Sequence, residues 1–309
     1  MDLKHLRYFV AIVEAGSMTR AAEVLCIAQP ALSLHIRNLE EEFGVSLLSR
    51  NAHGVKVTPS GELLYRHAKG MLRQADNTKS LLSLQSDKPS GKVSVALPSS
   101  TAHLIALDVL RTVCESYPGI TLEFLESPSV GLQTLVLHGR VDMAVVVHDR
   151  PLRGLTQYPL ITEQLFVITQ PHVPSSFKRF SLQELAQYPL ILVSPPNTIR
   201  TMLDHAFSLA QLDYRLVAEV STTSLLVAAI RRGLGATLLP WSAVHEEVTA
   251  GTLTATPVAD STLQRNLSLC YAESLALNPA SEVVREVIIR DVERRTSEGQ
   301  WLGVKRMIV

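Results

Sequence analysis

The sequence predicts an N-terminal winged helix-turn-helix, all helical apart from a small β wing, then a long linker helix and a two-lobed α/β domain. Three observations carry this. Apolar residues within the first 58 positions recur at helical spacing in three short blocks, closed by glycines or a tight turn. A stretch with heptad spacing begins at Thr58-Pro59. Beyond Gly91, short apolar runs alternate with amphipathic ones in two series, the pattern of parallel sheets covered by helices. With 309 residues the chain has room for about two domains and a small third, at ~150 residues each.

In the first block Leu3, Leu6, Phe9, Val10 and Val13 share a face, and Gly16 closes the helix. Ser17 can cap a second helix with Met18, Ala21, Ala22 and Leu25 inside. Cys26-Ile27-Ala28 makes a tight connection to Gln29-Pro30, where proline suits a first helical turn. The third helix then buries Leu32, Ile36, Leu39 and Phe43 and stops at Gly44. Two β-prone pieces, 46–48 and 55–57, flank the turn Asn51-Ala52-His53-Gly54 and form a wing.

Two short helices in this layout place the second in a DNA major groove. The free face of the third helix carries Gln29, Pro30, Ser33, Leu34 and Arg37, groups able to meet base edges or phosphates. Ser17, at the start of the helix before it, joins this set. Arg50, His53 and Lys56 lie in or beside the wing, a natural place for phosphate or minor-groove contact. Residues 1–58 hold six basic and six acidic side chains, so bulk charge does not favour DNA. Segregation does, because Glu40-Glu41-Glu42 cluster at the far end of the third helix. The same spacing also fits a plain three-helix subdomain with solvated polar faces.

Residues 59–88 read as the linker helix. Leu64, Ala68, Met71, Ala75, Thr78 and Leu82 follow a heptad seam suited to packing on a like partner, and from Pro59 to Ser86 the helix would run ~40 Å at ~1.5 Å per residue. Asp87-Lys88-Pro89-Ser90-Gly91 is a hinge. Residues 89–309 then form the α/β domain, with lobe I at about 89–161 and 267–309 and lobe II at about 162–266. Strands are expected at 92–97, 120–126, 142–147, 164–169, 190–193, 215–220, 236–239 and 266–272, with a last helix over 280–296.

In open α/β sheets, ligands settle beyond the carboxyl ends of the strands, near helix N-termini. Those ends here are rich in hydroxyls: Ser99, Ser100 and Thr101 after the first strand, Ser127 and Ser129 after the second. In the other lobe they are Asn197 and Thr198, then Thr222 and Thr223. Free N–H groups there favour a small anion, and Arg200 could add a full charge. Each residue taken alone also fits an ordinary helix cap.

Other chemistry finds little support. Hydrophobic residues at 46% and charged residues at 19% exclude dominant disorder, and the formal charge of +0 leaves any polyanion binding to local placement. Cys26, Cys114 and Cys270 form no disulfide framework, and Cys114 is expected inside with Leu107 and Leu110. The ten histidines show no metal-ligand spacing, so neither a metal nor another cofactor is expected. Gly233-Leu234-Gly235 lacks a third glycine and reads as a helix end. The start shows no secretory signal and no apolar run reaches ~18 residues, so a cytoplasmic protein with no membrane partner is expected. No catalytic constellation appears, so the chain is not expected to be an enzyme.

The run from Ala21 to Glu40, with Gln29-Pro30-Ala31-Leu32-Ser33 at its centre, resembles the helix-turn-helix of LysR-type transcriptional regulators. So do Phe43-Gly44-Val45, Leu47-Leu48-Ser49-Arg50 and Thr58-Pro59-Ser60-Gly61. Further on, Tyr117-Pro118-Gly119-Ile120, Gly139-Arg140-Val141-Asp142 and Gly233-Leu234-Gly235-Ala236 are similar to that family's effector-binding domain, itself like periplasmic binding proteins. The closest flavour is the nitrogen-assimilation-control-like subgroup. Leu34-His35 departs from the family, where many members carry a polar or basic residue and a glutamine. The resemblance implies a homodimer through the linker helix, extended to a homotetramer, on an interrupted inverted repeat in double-stranded DNA. It also implies a small-molecule effector between the lobes, with RNA polymerase as a further candidate partner. Two rivals stay open: a DNA-bending regulator without an effector, and a solute-binding protein or enzyme on the α/β lobes.

Overall fold

The computed structural model describes residues 1–51, 54–82, 88–171, 179–274 and 277–307. Residues 1–86 form one compact unit and most of the remainder forms a second.

In the first unit, the Asp2 carboxylate accepts the His5 N–H at 2.7 Å and opens α1 (Leu3–Ala15). Gly16 closes it at φ +63°, a conformation that costs a glycine little. Ser17 Oγ accepts from the Arg20 N–H to start α2 (Met18–Val24), and α3 (Gln29–Phe43) begins on Pro30. Phe9, Ile12, Ala21, Leu32, Ile36 and Leu39 make the shared core. Phe43, expected inside, is 42% exposed, because the last turn of α3 carries it past that cluster. Glu40 reaches back to accept the N–H groups of Leu47 (2.7 Å) and Leu48 (3.1 Å). This anchors the wing, in which β1 (Leu48–Asn51) pairs antiparallel with β2 (Gly54–Val57).

The linker helix is α4 (Pro59–Leu82). Its N-terminal half packs within the chain: Ala68 is fully buried against Leu6 and Val10 of α1, with Leu64 beside it. Lys69 and Tyr65 both donate to Glu14, at 2.9 and 3.0 Å. The expected seam is therefore divided. Leu64 and Ala68 are used in cis, whereas Met71 is exposed and Ala75 half-buried. The Leu82 side chain lies outside the described residues.

The second unit opens with β3 (Gly91–Pro98), α5 (Ser99–Ser116), β4 (Ile120–Ser127), α6 (Leu132–Leu137), β5 (Met143–His148) and β6 (Leu155–Thr169). Next come α7 (Leu182–Leu185), β7 (Pro189–Val193), α8 (Thr198–Leu209), β8 (Arg215–Val220), α9 (Thr223–Arg231) and β9 (Thr237–Pro240). A 3₁₀ turn (Trp241–Ala243), α10 (His245–Thr249), β10 (Thr254–Pro257), β11 (Gln264–Ala272), α11 (Pro279–Ser297) and β12 (Val304–Arg306) complete it. β3 pairs parallel with β4 and β5 in lobe I, and β7 pairs parallel with β8 in lobe II.

The long strand β6 ties the lobes together. Residues 155–164 pair with β11, while 165–169 pair with β9 and β10. Sequence periodicity reveals only its second half, since Pro159 and the polar residues around it break the apolar run. A register shift opposite Leu267 and Ser268 absorbs the extra residue Leu160.

Helix α5 corrects another expectation. Its inward face is Ile105, Val109 and Val113, so Leu107 (76% exposed), Leu110 and Cys114 face outward instead of joining the core. Among the described residues no helix is long and apolar enough to cross a membrane.

Candidate nucleic-acid interface and interlobe cleft

On α3, burial of Leu32, Ile36 and Leu39 turns Pro30, Leu34 and Arg37 outward, with Gln29 and Ser33 half-buried beside them. Arg37 has no hydrogen bond or ion pair among the described residues, so its guanidinium is available to an incoming acceptor. Gln29 Nε2 donates to Ser33 Oγ at 2.9 Å, which sets both polar groups at one spot on the helix. Ser17 serves α2 as its cap, its Oγ 3.4 Å from the Arg20 nitrogen. Lys56 is exposed on β2, and Arg50 falls on β1. The Arg50 side chain and His53 lie outside the described residues.

In the second unit, Pro98, Ser99, Ser100, Pro128, Ser129, Asn197, Thr223 and Arg265 line a pocket of about 40 Å³ between the lobes. At ~10–15 Å³ per water, that space holds a few waters or one small group. A larger cavity of about 410 Å³ adjoins it through Arg265 and is lined by Val130, Val147, His148, Thr198 and Met202 among others. α5 starts here with Pro98 as its cap residue and no side-chain cap, so its first N–H groups carry the helix's positive end. Ser129 Oγ and Thr198 Oγ1 lie 2.8 Å apart and bridge lobe I to lobe II.

Five of the ten expected cleft residues, Ser99, Ser100, Ser129, Asn197 and Thr223, line the smaller pocket, and Thr198 lines the larger. Four do not. Ser127, at the end of β4, and Thr222, which caps α9, are absent from both linings. Thr101 is fully buried in the first turn of α5, its Oγ1 without a partner among the described residues. Arg200, expected to offer its charge to the cleft, is committed elsewhere. Its Nε bonds both Asp204 oxygens at 2.9 Å and its Nη1 bonds Glu219. Burial works against its charge, but the Glu219 and Asp204 hydrogen bonds outweigh that and raise it above the ordinary arginine value.

The charge in the cleft is Arg265, on β11, which the sequence reading leaves just outside its expected strand. Arg265 Nε and Nη2 donate to Glu163 Oε2 at 2.9 and 2.7 Å, and Nη2 also donates to Ser100 Oγ at 2.6 Å. Glu163 Oε1 accepts from Ser242 Oγ (2.6 Å) and Trp301 Nε1 (2.8 Å). Glu163 is fully buried and Arg265 is 4% exposed. A charged residue at an inward strand position is the only sequence signal for this pair, and it appears once β6 and β11 are known.

A winged helix-turn-helix joined to a two-lobed α/β domain with a polar cleft defines a DNA-binding transcriptional regulator. Residues 3–62 match the bacterial regulatory helix-turn-helix protein, lysR family, and residues 86–293 match the LysR substrate binding domain. The chain belongs to the LysR family of transcriptional regulators, and it is not an enzyme. It is similar to the nitrogen assimilation regulatory protein Nac of Klebsiella aerogenes, 33% identical over 98% of this chain and 99% of that protein. Its fold is shared with full-length OxyR from Pseudomonas aeruginosa, at a TM-score of 0.75 and 20% identity over 100% of this chain and 99% of the other. It is also shared with CbnR in complex with its target DNA, at a TM-score of 0.68 and 20% identity over 94% and 100% of the two chains.

Proposed function

We propose that this regulator acts in the cytoplasm as a dimer through the free part of the α4 seam, further assembled to a tetramer, on an interrupted inverted repeat of duplex DNA. Pro30, Ser33, Leu34 and Arg37 meet the major groove, while Arg50, His53 and Lys56 meet the backbone beside it. RNA polymerase is the partner through which occupancy becomes output. A small anion in the interlobe cleft modulates this activity. One observation carries that last reading: an uncapped helix start, three serines and a buried arginine converge on a single pocket. Ser100 and Arg265 replace Thr101 and Arg200 as the central contacts.

Calorimetry of the full-length chain with phosphate, sulfate and small carboxylates tests it. The reading expects one of them to bind, and Ser100→Ala with Ser129→Ala to abolish the heat. Absence of heat for every anion favours a second reading, a regulator without an effector. The Ser129–Thr198 bridge and the Glu163 carboxylate, which already neutralises Arg265, support that second reading.

A further inference from the structure

One side chain on the outer face of α3 has a chemistry that neither phosphate contact nor hydrogen bonding explains. Leu34 is 53% exposed, one position after Ser33 and three before Arg37. Its helix buries Leu32, Ile36 and Leu39 on the opposite side, so Leu34 in water contributes little to the core. The neighbouring groups are held in place. His35 Nδ1 lies 3.1 Å from His5 Nε2, and its ring centre is 5.0 Å from that of Tyr8, which ties His35 to α1. On the other flank the Gln29 amide donates to Ser33 Oγ within the helix. Leu34 and Arg37 are exposed beside these fixed groups, as are Pro30, Ala31 and Asn38, and Leu34 is the largest apolar side chain among them. In the major groove the apolar group presented by a base edge is the C5-methyl of thymine; cytosine offers none at that carbon.

We infer that Leu34 reads a thymine. Its side chain packs on the C5-methyl of one thymine per half-site, while Arg37 takes a guanine or phosphate beside it. The inference rests on the reading of α3 as the base-contacting helix. It adds a base identity: an A·T pair in one orientation at the position facing Leu34, set by an apolar contact.

The test uses the full-length chain and a duplex that this chain selects from a random-sequence pool, with binding measured by fluorescence anisotropy at fixed salt. Uracil replaces each thymine in turn, which removes the methyl and nothing else. The wild type should lose about fourfold in affinity at one thymine per half-site, the equivalent of ~0.8 kcal/mol for one buried methyl-sized group. Leu34→Ala should bind the thymine and uracil duplexes equally. Unchanged wild-type affinity with uracil at every thymine overturns the inference, as does a Leu34→Ala variant that still senses the methyl. Selection of no preferred sequence would instead remove the base-contacting reading of α3, and the inference with it. The uracil series needs no variant, so it stands even if Leu34→Ala folds poorly.

Discussion

Arg265 on β11 sits directly opposite Glu163 on β6, and the two side chains are joined by a doubly hydrogen-bonded ion pair where both strands pass between the lobes. Neither group touches bulk water to any extent, and both Glu163 oxygens are occupied. Removing one partner leaves a buried charge uncompensated, which costs far more than replacing both.

Arg265→Met should therefore destabilise the second unit by about 3–5 kcal/mol. The double variant Glu163→Leu with Arg265→Met should recover part of that loss, because two apolar side chains replace two desolvated charges while Ser242 Oγ and Trp301 Nε1 lose their acceptor. Urea unfolding followed by tryptophan fluorescence measures both, since Trp301 itself bonds Glu163. A single-variant cost below about 1 kcal/mol would contradict the buried geometry.

On the DNA face, Arg37→Ala and Ser33→Ala should each weaken specific binding by about 1–3 kcal/mol. Neither change should alter the melting temperature, because both positions lie outside the cluster of Phe9, Leu32 and Leu39. Lys56→Ala, exposed on the wing, should weaken all sequences alike and lower the salt slope by about one. A gel-shift series over several salt concentrations separates the two behaviours.

Cysteine reactivity should split by burial. Cys270 lies within β11 with no exposure, and burial pushes its thiol up to about 12 from an ordinary value of 9.0. It should resist iodoacetamide at pH 8 in the native protein and react in denaturant, whereas Cys26 is exposed and should label at once. The linkage has a sign. The neutral thiol's contribution is fully present below pH 9, where an unfolded thiol is also neutral, and is lost as pH rises toward 12. Mass mapping of the labelled peptides checks the split.

The N-terminal unit was legible in the sequence because local signals dominate it: the Ser17 cap, the Gly16 and Gly44 stops and Pro30 all act within a few residues. The hydroxyl-rich helix starts were legible for the same reason. What periodicity could not supply was partner choice. Arg200, on α8, looks available until Glu219, on β8, arrives beside it, and Arg265 looks ordinary until β6 pairs with β11. Likewise Leu107, Leu110 and Cys114 satisfy an apolar spacing, but the sheet meets the face of α5 defined by Ile105 and Val109.

The α4 seam yields the last prediction, and two substitutions four or fewer positions apart should behave differently. Ala68 has no exposure and packs on Leu6 and Val10 of its own chain, so Ala68→Glu should unfold or loosen the N-terminal unit. Met71 is 42% exposed and free of that contact, one heptad step further along. Met71→Glu should leave the unit folded by circular dichroism yet place a charge in a two-fold interface, where the same side chain meets its own copy. Multi-angle light scattering should then show a shift toward monomer for Met71→Glu at a protein concentration where the wild type is a dimer. If Met71→Glu keeps the wild-type mass, the free half of α4 is not the surface through which two chains associate. The exposed face of α5 would then be the next to test, with Leu107→Glu in the same measurement.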